Sequence, residues 1–557
     1  MQKKMLYALV AVIVVVLIVA AVAVVVLTAP PRKLTIQLWY NSDGHYGDTE
    51  PAVAQVLKSS LEATGKLSVE LKSEPWATYI SDVGKGRLPF YLLGWYPDYF
   101  DSDDYISPFL STSGAKSRGT YYNDSQMNTW ISDQAAASDP TVRAGLFTQI
   151  QNKLAADVPY IPLWQTSAHV VYDKDISNVY LHPVVFKWFI MSKTGATTIT
   201  GGTTDRVVSF DPAKAYDYFS GEVINQIFDT LLVYEPKNAT LMPGLATRIP
   251  TAANGDISAD GLSYTFHLKS GVKFHDGSDF NSTVMKWSVE RAIKLDLDSS
   301  AAFLLYDTAK LGKTPVIDTP DPLTITFHLS QKVGFFNDIM AYSVAAPVSM
   351  VAYNNTGQQT DAVSKVVGTG PYKLTNYVPN QVIELSRDPN YYNPRLYASF
   401  GIPSIPVLDK VTLTLYSTAT NLKQAIETHA VNVAYRTLNP TDVTDLKQRA
   451  STLNVNVDLG SNPQIRYLCF NVPTSPYSDV RLRQAIAYAV NRTAISSVVF
   501  SNLTTSIFSM IPPSFPFTQP VFQTVYGTSP NLTQAKSLLS QLGYSVFHLE
   551  AIARVRS

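Results

Sequence analysis

One cysteine, Cys469, stands in the whole chain, so no internal disulfide can form. Its place inside the apolar run Tyr467 to Phe470 marks it as a core residue rather than a nucleophile. Charge surplus is missing too. The 44 Lys and Arg balance 44 Asp and Glu, which removes the basic field by which nucleic acid is held. No HExxH, GxxxxGK[ST], GxSxG or paired CxxC occurs, and the 8 histidines are scattered without metal-ligand spacing. Zinc hydrolysis, nucleotide hydrolysis and α/β-hydrolase chemistry therefore lose their motifs, and neither a metal nor a cofactor is expected.

Two weaker patterns fail on spacing. Ser113-Gly-Ala-Lys116, Tyr121-Tyr-Asn123 and Lys193-Thr-Gly195 follow the order used by serine acyl-transfer enzymes of the penicillin-binding type. The first reads as a Ser/Gly loop, and the second follows too soon to leave room for a domain between them. Asp98, Asp101, Asp103 and Asp104 crowd one loop instead of facing each other across a cleft as glycosidase carboxylates do. The run Asp101-Ser-Asp103-Asp104 also lacks the glycine and distal glutamate of a calcium loop. The chain is expected not to be an enzyme.

What is present describes a large extracytoplasmic protein. At 557 residues, 46% of them hydrophobic, the chain exceeds the roughly 250–300 residues that one core serves, so two or more lobes are expected. Met5 to Leu27 is an uncharged apolar run preceded by Lys3 and Lys4, long enough to span a bilayer and without a clear cleavage site. It reads as an uncleaved single-pass anchor in the cell membrane. Lys3 and Lys4 favour a cytoplasmic N-terminus, although Arg32 and Lys33 weaken that bias. The bulk of the chain is expected outside. Sequons at Asn123, Asn238, Asn281, Asn354, Asn491, Asn502 and Asn531 are compatible with that location.

Along the chain, Leu34 to Tyr40 reads as a strand, Glu50 to Thr64 as an amphipathic helix, Leu67 to Lys72 as a strand and Tyr79 to Lys85 as a short helix. Asp139 or Pro140 starts a helix that runs to Asp157, and the prolines of Val158 to Trp164 make that segment extended. Beyond Thr197 strands dominate, with alternation at Ser263 to Lys273 and Leu323 to Leu329. Helices are expected at Ser282 to Ile293, Val480 to Val490 and Leu532 to Leu542. Mixed α/β is the fold class.

The most concentrated chemistry is Gly94-Trp-Tyr-Pro-Asp-Tyr-Phe-Asp-Ser-Asp-Asp-Tyr105, directly after the apolar run Leu88 to Leu93. Aromatic faces beside carboxylates suit a ligand with an apolar body and a positive or hydroxyl-bearing end. A solvated acidic turn has the same composition.

Five motifs further on, in one order, give a resemblance. They are Phe210-Asp-Pro-Ala213 with Phe228-Asp-Thr-Leu-Leu232; Leu245-Ala-Thr-Arg with Asp260-Gly-Leu-Ser-Tyr-Thr-Phe-His-Leu-Lys269 and Gly271-Val-Lys-Phe-His-Asp-Gly277; Val367-Gly-Thr-Gly-Pro-Tyr-Lys-Leu374; Arg387-Asp-Pro-Asn-Tyr-Tyr392; and Phe470-Asn471 through Pro476 to Arg492. Together they resemble the family 5 extracellular solute-binding proteins, the peptide, nickel and oligosaccharide receptors of ABC importers. Leu93-Gly-Trp-Tyr-Pro-Asp98, Arg143, Gln151 and Pro159-Tyr-Ile-Pro-Leu163 look like the C-terminal third of the same family. The chain therefore resembles a circular permutant, which is tolerated when the cut lies in an exposed connection. The alternatives are a genomic rearrangement or frameshifted pseudogene, or two truncated halves that complement each other between molecules.

The resemblance implies a two-lobed periplasmic-binding-protein type II architecture with an inserted subdomain. Residues 1–32 would be the anchor, 33–158 and 461–545 one lobe, 159–460 the other with its insert near 233–375, and 546–557 a tail. Solute would lie between the lobes. It also implies Asp98 as the aspartate that pairs with a peptide's α-amino group, with Trp95, Tyr96 and Tyr99 lining the cleft. No arginine or lysine for the peptide carboxylate is assignable. The expected partners are a small solute, oligopeptide or alternatively oligosaccharide, and ABC permease subunits. A secreted hydrolase and a non-binding surface protein are the readings from other classes.

Overall fold

A computed structural model describes residues 33–43, 48–137 and 139–542. The anchor read at Met5 to Leu27 and the tail read at 546–557 lie outside the described residues. Among the described residues no helix is long and apolar enough to cross a membrane.

The strands, in chain order, are β1 (Leu34–Asn41), β2 (Leu67–Glu74), β3 (Phe90–Trp95), β4 (Tyr160–Asp173), β5 (Thr198–Thr203), β6 (Ser263–His267), β7 (Val316–Asp321), β8 (Thr324–His328), β9 (Tyr372–Val378), β10 (Val382–Arg387), β11 (Lys410–Leu415), β12 (Val433–Tyr435) and β13 (Val455–Phe470). The principal helices are α1 (Glu50–Glu62), α2 (Trp76–Gly84), α3 (Thr112–Ser117), α4 (Ser125–Ala136), α5 (Pro140–Asp157), α6 (Tyr218–Ile227), α7 (Ser282–Leu295), α8 (Val480–Ala489) and α9 (Leu532–Gln541). Local chemistry sets the starts of most of them. Side-chain oxygens of Asp124, Asp139, Asp217, Asn281, Asp479 and Asn531 accept from the first free N–H groups of α4, α5, α6, α7, α8 and α9.

One eleven-stranded mixed sheet runs in the order β9-β10-β11-β5-β12-β4-β13-β3-β1-β2, with Thr505–Ser506 added beside β4. The fold is mixed α/β. A separate sheet β6-β8-β7 is antiparallel, Tyr264 facing Phe327 and Phe266 facing Ile325, so that the alternating apolar residues share one face.

The buried apolar side chains form two large clusters. One joins Ile36, Leu38, Leu57, Phe90 to Leu93, Phe147 and Leu154 to Tyr467 through Phe470, Leu482 and Leu539. The other spans Val170 to Tyr435, includes the β6-β8-β7 sheet and takes in Tyr99 from the loop after β3. β4 belongs to both regions and β13 runs beside it: Trp164 and Ile465 lie in the first, Val170 of β4 in the second, and Val171 and Val455 in a small third cluster.

The first cluster is built from both ends of the chain. Asn531 N donates to Tyr488 O (2.8 Å), and Ser60 on α1 bonds the carbonyl of Ala489 at the end of α8. Gln151 on α5 donates to Phe517 O (2.9 Å) and accepts from Ser509 (2.7 Å) and Gln519 N (2.9 Å). Val158, a β-branched residue held left-handed at φ 50°, ends α5; its carbonyl and that of Asp157 are gripped by the Arg483 guanidinium.

Three local expectations need correction. Ser113-Gly-Ala-Lys116 is helical, within α3, because Ser111 caps the turn by accepting from Gly114 N (3.1 Å). Ser113 and Lys116 are both exposed on it, so no buried nucleophile results. β3 runs to Trp95, carrying Gly94 and Trp95 into the sheet, and α2 starts at Trp76 rather than Tyr79.

Glu50 on α1 and Arg466 on β13 pair at 2.6 Å with side chains only 2% and 3% exposed, and Arg466 also donates to Leu93 O. Removing one member strands a buried charge. Arg466→Met is expected to destabilise the protein by about 3–5 kcal/mol in urea unfolding, and Glu50→Gln added to it to recover a large part. Equal losses in the single and double variants would show that the pair is not what holds α1 to β13.

Candidate functional site

β3 leaves the middle of the sheet beside parallel β1 and antiparallel β13, with Ile465 facing Trp95. The chain emerging at its C-terminal end is Trp95 to Tyr105. A cavity of about 360 Å³ opens there. Leu93 to Asp98, Arg118 and Gln464 line it from the first cluster, and one face of α6, with Tyr216 and Tyr342, lines it from the second.

Of the loop's four aspartates only Asp98 lines this cavity. It is 7% exposed, its N–H donates to Asp104 Oδ2 (2.6 Å), and its Oδ2 accepts from Tyr216 OH across the seam (3.0 Å). Burial pushes the Asp98 carboxyl up to about 7, against the opposing pull of the Tyr216 hydroxyl and Arg118. Burial and the neighbouring Asp98 push Asp104 well up as well.

The other three aspartates hold the loop together. Asp101 takes two bonds from the Arg143 guanidinium (2.6 and 2.5 Å) and caps the turn at Asp103 N. Asp103 accepts from Tyr99 OH (2.6 Å), Ser107 and Gln134, and Asp104 from Trp95 Nε1 (3.3 Å).

The aromatic residues divide in the same way. Trp95 lines the cavity, stacked under the Arg118 guanidinium at 4.2 Å and edge-on to Phe109. Tyr96 lines it too, donating to Pro183 O (3.1 Å) with its ring edge-on to Tyr218. Tyr99 does not line the cavity, contrary to the sequence expectation. Its hydroxyl is used by Asp103 and its ring stacks on Phe335 at 4.7 Å, because it fills the seam between the two clusters.

Several lining residues escaped the sequence reading: Arg118, Tyr216, Asp217, Glu222, Tyr342 and Gln464. One signal was available. Tyr216-Asp-Tyr-Phe219 repeats the interleaving of aromatics and aspartate that singled out Tyr96 to Phe100. Arg118 is the only Lys or Arg among the described lining residues, and its Nε is buried without a hydrogen-bond partner. No histidine lines the cavity, and burial pushes the Cys469 thiol well up. Among the described residues no three His, Cys, Asp or Glu side chains group as metal ligands.

A cavity of ligand size between two α/β units, walled by aromatics and a few convergent polar groups, is the layout of a solute-binding protein. The sequence profile of the Bacterial extracellular solute-binding proteins, family 5 Middle, matches residues 27–117 and 240–546, and the chain belongs to that family. The glutathione-binding protein GsiB of Escherichia coli K12 is 27% identical over 339 residues, 60% of this chain and 59% of the relative; GsiB of Salmonella typhi is 28% identical over 338. The chain thus spans about 59% of the curated relatives it matches. Among solved structures, DppA from Helicobacter pylori in complex with peptide STSA is similar with a TM-score of 0.48 at 22% identity, covering 62% of this chain and 66% of that one. OppA of Haemophilus influenzae in complex with RPPGFSPFR gives 0.47 at 18%, covering 63% and 67%.

Because the folded Asp98 carboxyl sits near 7 and an unfolded aspartate near 4, its contribution to stability is full below about pH 4 and lost as pH rises towards 7. Asp98→Asn is therefore expected to melt like the parent near pH 4 and progressively higher than it up to pH 7–8, without ligand. Melting differences that do not change across that range would remove the burial penalty assigned to Asp98.

Proposed function

We propose that this protein is the membrane-anchored extracellular receptor of an ABC importer, capturing short peptides between its lobes and delivering them to a permease without catalysis of its own. The observation that carries this reading is Asp98. It is a nearly buried carboxylate on the cavity wall, held by one tyrosine hydroxyl and flanked by Trp95 and Tyr96, where an α-amino group would replace water as its partner. Arg118 is the cation placed to face a carboxylate. The cavity is at the small end of the usual 300–1,000 Å³ range, which fits di- and tripeptides better than longer ones. The glutathione-binding names of the GsiB relatives agree with a peptide-like solute.

The proposed organisation is that of the permuted family order: residues 33–158 and 461–545 in one lobe, and 159–460, with its insert, in the other. The interlocked ends support it. Leu34 and Leu542 both pack on the cluster that holds Leu57 and Phe470.

A calorimetric screen of di- to hexapeptides against cello-, malto- and xylo-oligomers tests the solute class. Binding of di- and tripeptides is expected, about ten- to a hundredfold weaker in Asp98→Asn and weakening in the parent as pH falls through 7. Binding by sugars alone would replace the peptide reading with the oligosaccharide one. Turnover of a bound ligand would overturn the receptor reading altogether.

A further inference from the structure

The wall opposite Asp98 carries a second acidic pair. Asp217 caps α6 with one carboxylate oxygen, accepting from Ser220 N (2.8 Å). Its other oxygen, Oδ2, is buried without a hydrogen-bond partner. Glu222, a turn further on along the face that meets the cavity, is 2% exposed. Its Oε1 accepts from Trp188 Nε1 (3.1 Å), while Oε2 is buried and accepts from nothing. A buried carboxylate oxygen without a donor is costly, and the donor that relieves it best is a cation.

Among the described residues one basic group, Arg436, lies near enough to attract Glu222, yet it hydrogen-bonds neither carboxylate and its own Nε is buried without a partner. Arg436 faces this wall, but its guanidinium is bonded to Asp205 and lies flat on the Tyr218 ring at 4.0 Å. The charges lining the cavity are Asp98, Asp217 and Glu222 against Arg118 alone. A zwitterionic peptide would satisfy Asp98 with its amine and Arg118 with its carboxylate. It would leave the Asp217 and Glu222 side unmatched.

We propose that Asp217 and Glu222 form a second cation subsite, and that the preferred solute is a short peptide bearing a basic side chain, ammonium or guanidinium, directed at α6. This inference rests on the peptide-receptor reading. Burial pushes Glu222 up to about 8, against the pull of Arg436 and Trp188, with Asp205 adding to the rise; Tyr435 and Tyr218 are the other titratable groups that face it. Asp217 is also raised by burial. At pH 7 the arriving cation would displace a proton from this wall.

Calorimetry of the full-length protein with dialanine, alanyl-lysine, alanyl-arginine and alanyl-glutamate decides it. The two basic dipeptides are expected to bind about ten- to a hundredfold more tightly than dialanine. The ratio should collapse towards one in Glu222→Gln and shrink in Asp217→Asn, with melting curves confirming that both variants fold. Repeated at pH 7 in two buffers of different ionisation heat, the basic peptides should release more protons than dialanine, and the excess should vanish in Glu222→Gln. Equal affinity for basic and neutral dipeptides, or a basic preference that survives in both variants, overturns the subsite and leaves the peptide receptor intact. Failure of every dipeptide to bind overturns both readings.

Discussion

The pairing of β4 with β13 is the constraint on which the rest depends. Among the described residues these two long strands run together from the first cluster, at Tyr160 and Phe470, to Asp173 and Val455 at the other end, where β4 reaches the second cluster through Val170 and both reach the third. Their ladder keeps one register from Val455 to Ser461 and slips before resuming at Ile465. The slip spans Asn462, Pro463 and Gln464. Proline cannot donate to a ladder, so the break belongs there. Tyr105 pins it by donating to Pro463 O (2.6 Å), and Gln464 lines the cavity. The same interruption that allows the ladder to bend therefore sets one edge of the site.

Around that break the acidic loop acts as a seam rather than as a set of four equivalent ligands. Tyr99 stacks on Phe335 within the second cluster, Tyr96 reaches the Pro183 carbonyl, and Asp98 takes the Tyr216 hydroxyl, so the loop after β3 is fastened to residues far along the chain. Asp101 is paired with Arg143, and Asp103, which burial pushes up, is drawn back by the hydroxyls of Ser107 and Tyr99 while Gln134 also donates to it. Asp98 has one hydroxyl, and its carboxyl rises accordingly. Burial with few donors is what separates a residue able to gain from a ligand's charge from one already satisfied.

How much of this could be read from residues alone follows from the range of each interaction. The helix starts at Asp139, Asn281 and Asp479 were legible because these side chains act on N–H groups two or three positions away, whereas the helices capped by Asp124 and Asp217 went unread. The alternation in β6 and β8 was legible because each strand has one buried face. Family motifs singled out Asp98 from its neighbours, whereas composition could not. The role of Tyr99 was misread because the ring that decides it, Phe335, is more than two hundred positions away. Arg118 and Glu222 gave no local sign, since each becomes distinctive only through what surrounds it: the Trp95 face for one, the Trp188 N–H and Arg436 for the other. Ser113 to Lys116 was misread for a nearer reason, a cap at Ser111 outweighing the glycine's reluctance to be helical.

The hydrophobic cluster built from both ends places a particular demand on the chain. α1 must meet α8 across a separation of 429 residues in the Ser60 to Ala489 bond, and Gln151, besides its bond to Phe147 O within α5, reaches Ser509, Phe517 and Gln519. Non-local contacts of this span cost loop-closure entropy before they return any burial, although that cost grows only logarithmically with the length closed. The intervening Val170 to Tyr435 cluster draws only Tyr99, with Phe100 and Ala135 packed beside it, from the N-terminal part, so most of its burial is internal to that stretch. A formed central unit thereby shortens the effective loop for the outer one. On this argument the cavity is assembled last: the α6 wall comes with the central unit, whereas Asp98 and Trp95 reach position only when β3 docks on Ile465 to Phe470. The cavity wall carrying Asp217 and Glu222 is then formed first, and Asp98 reaches it when the outer cluster packs.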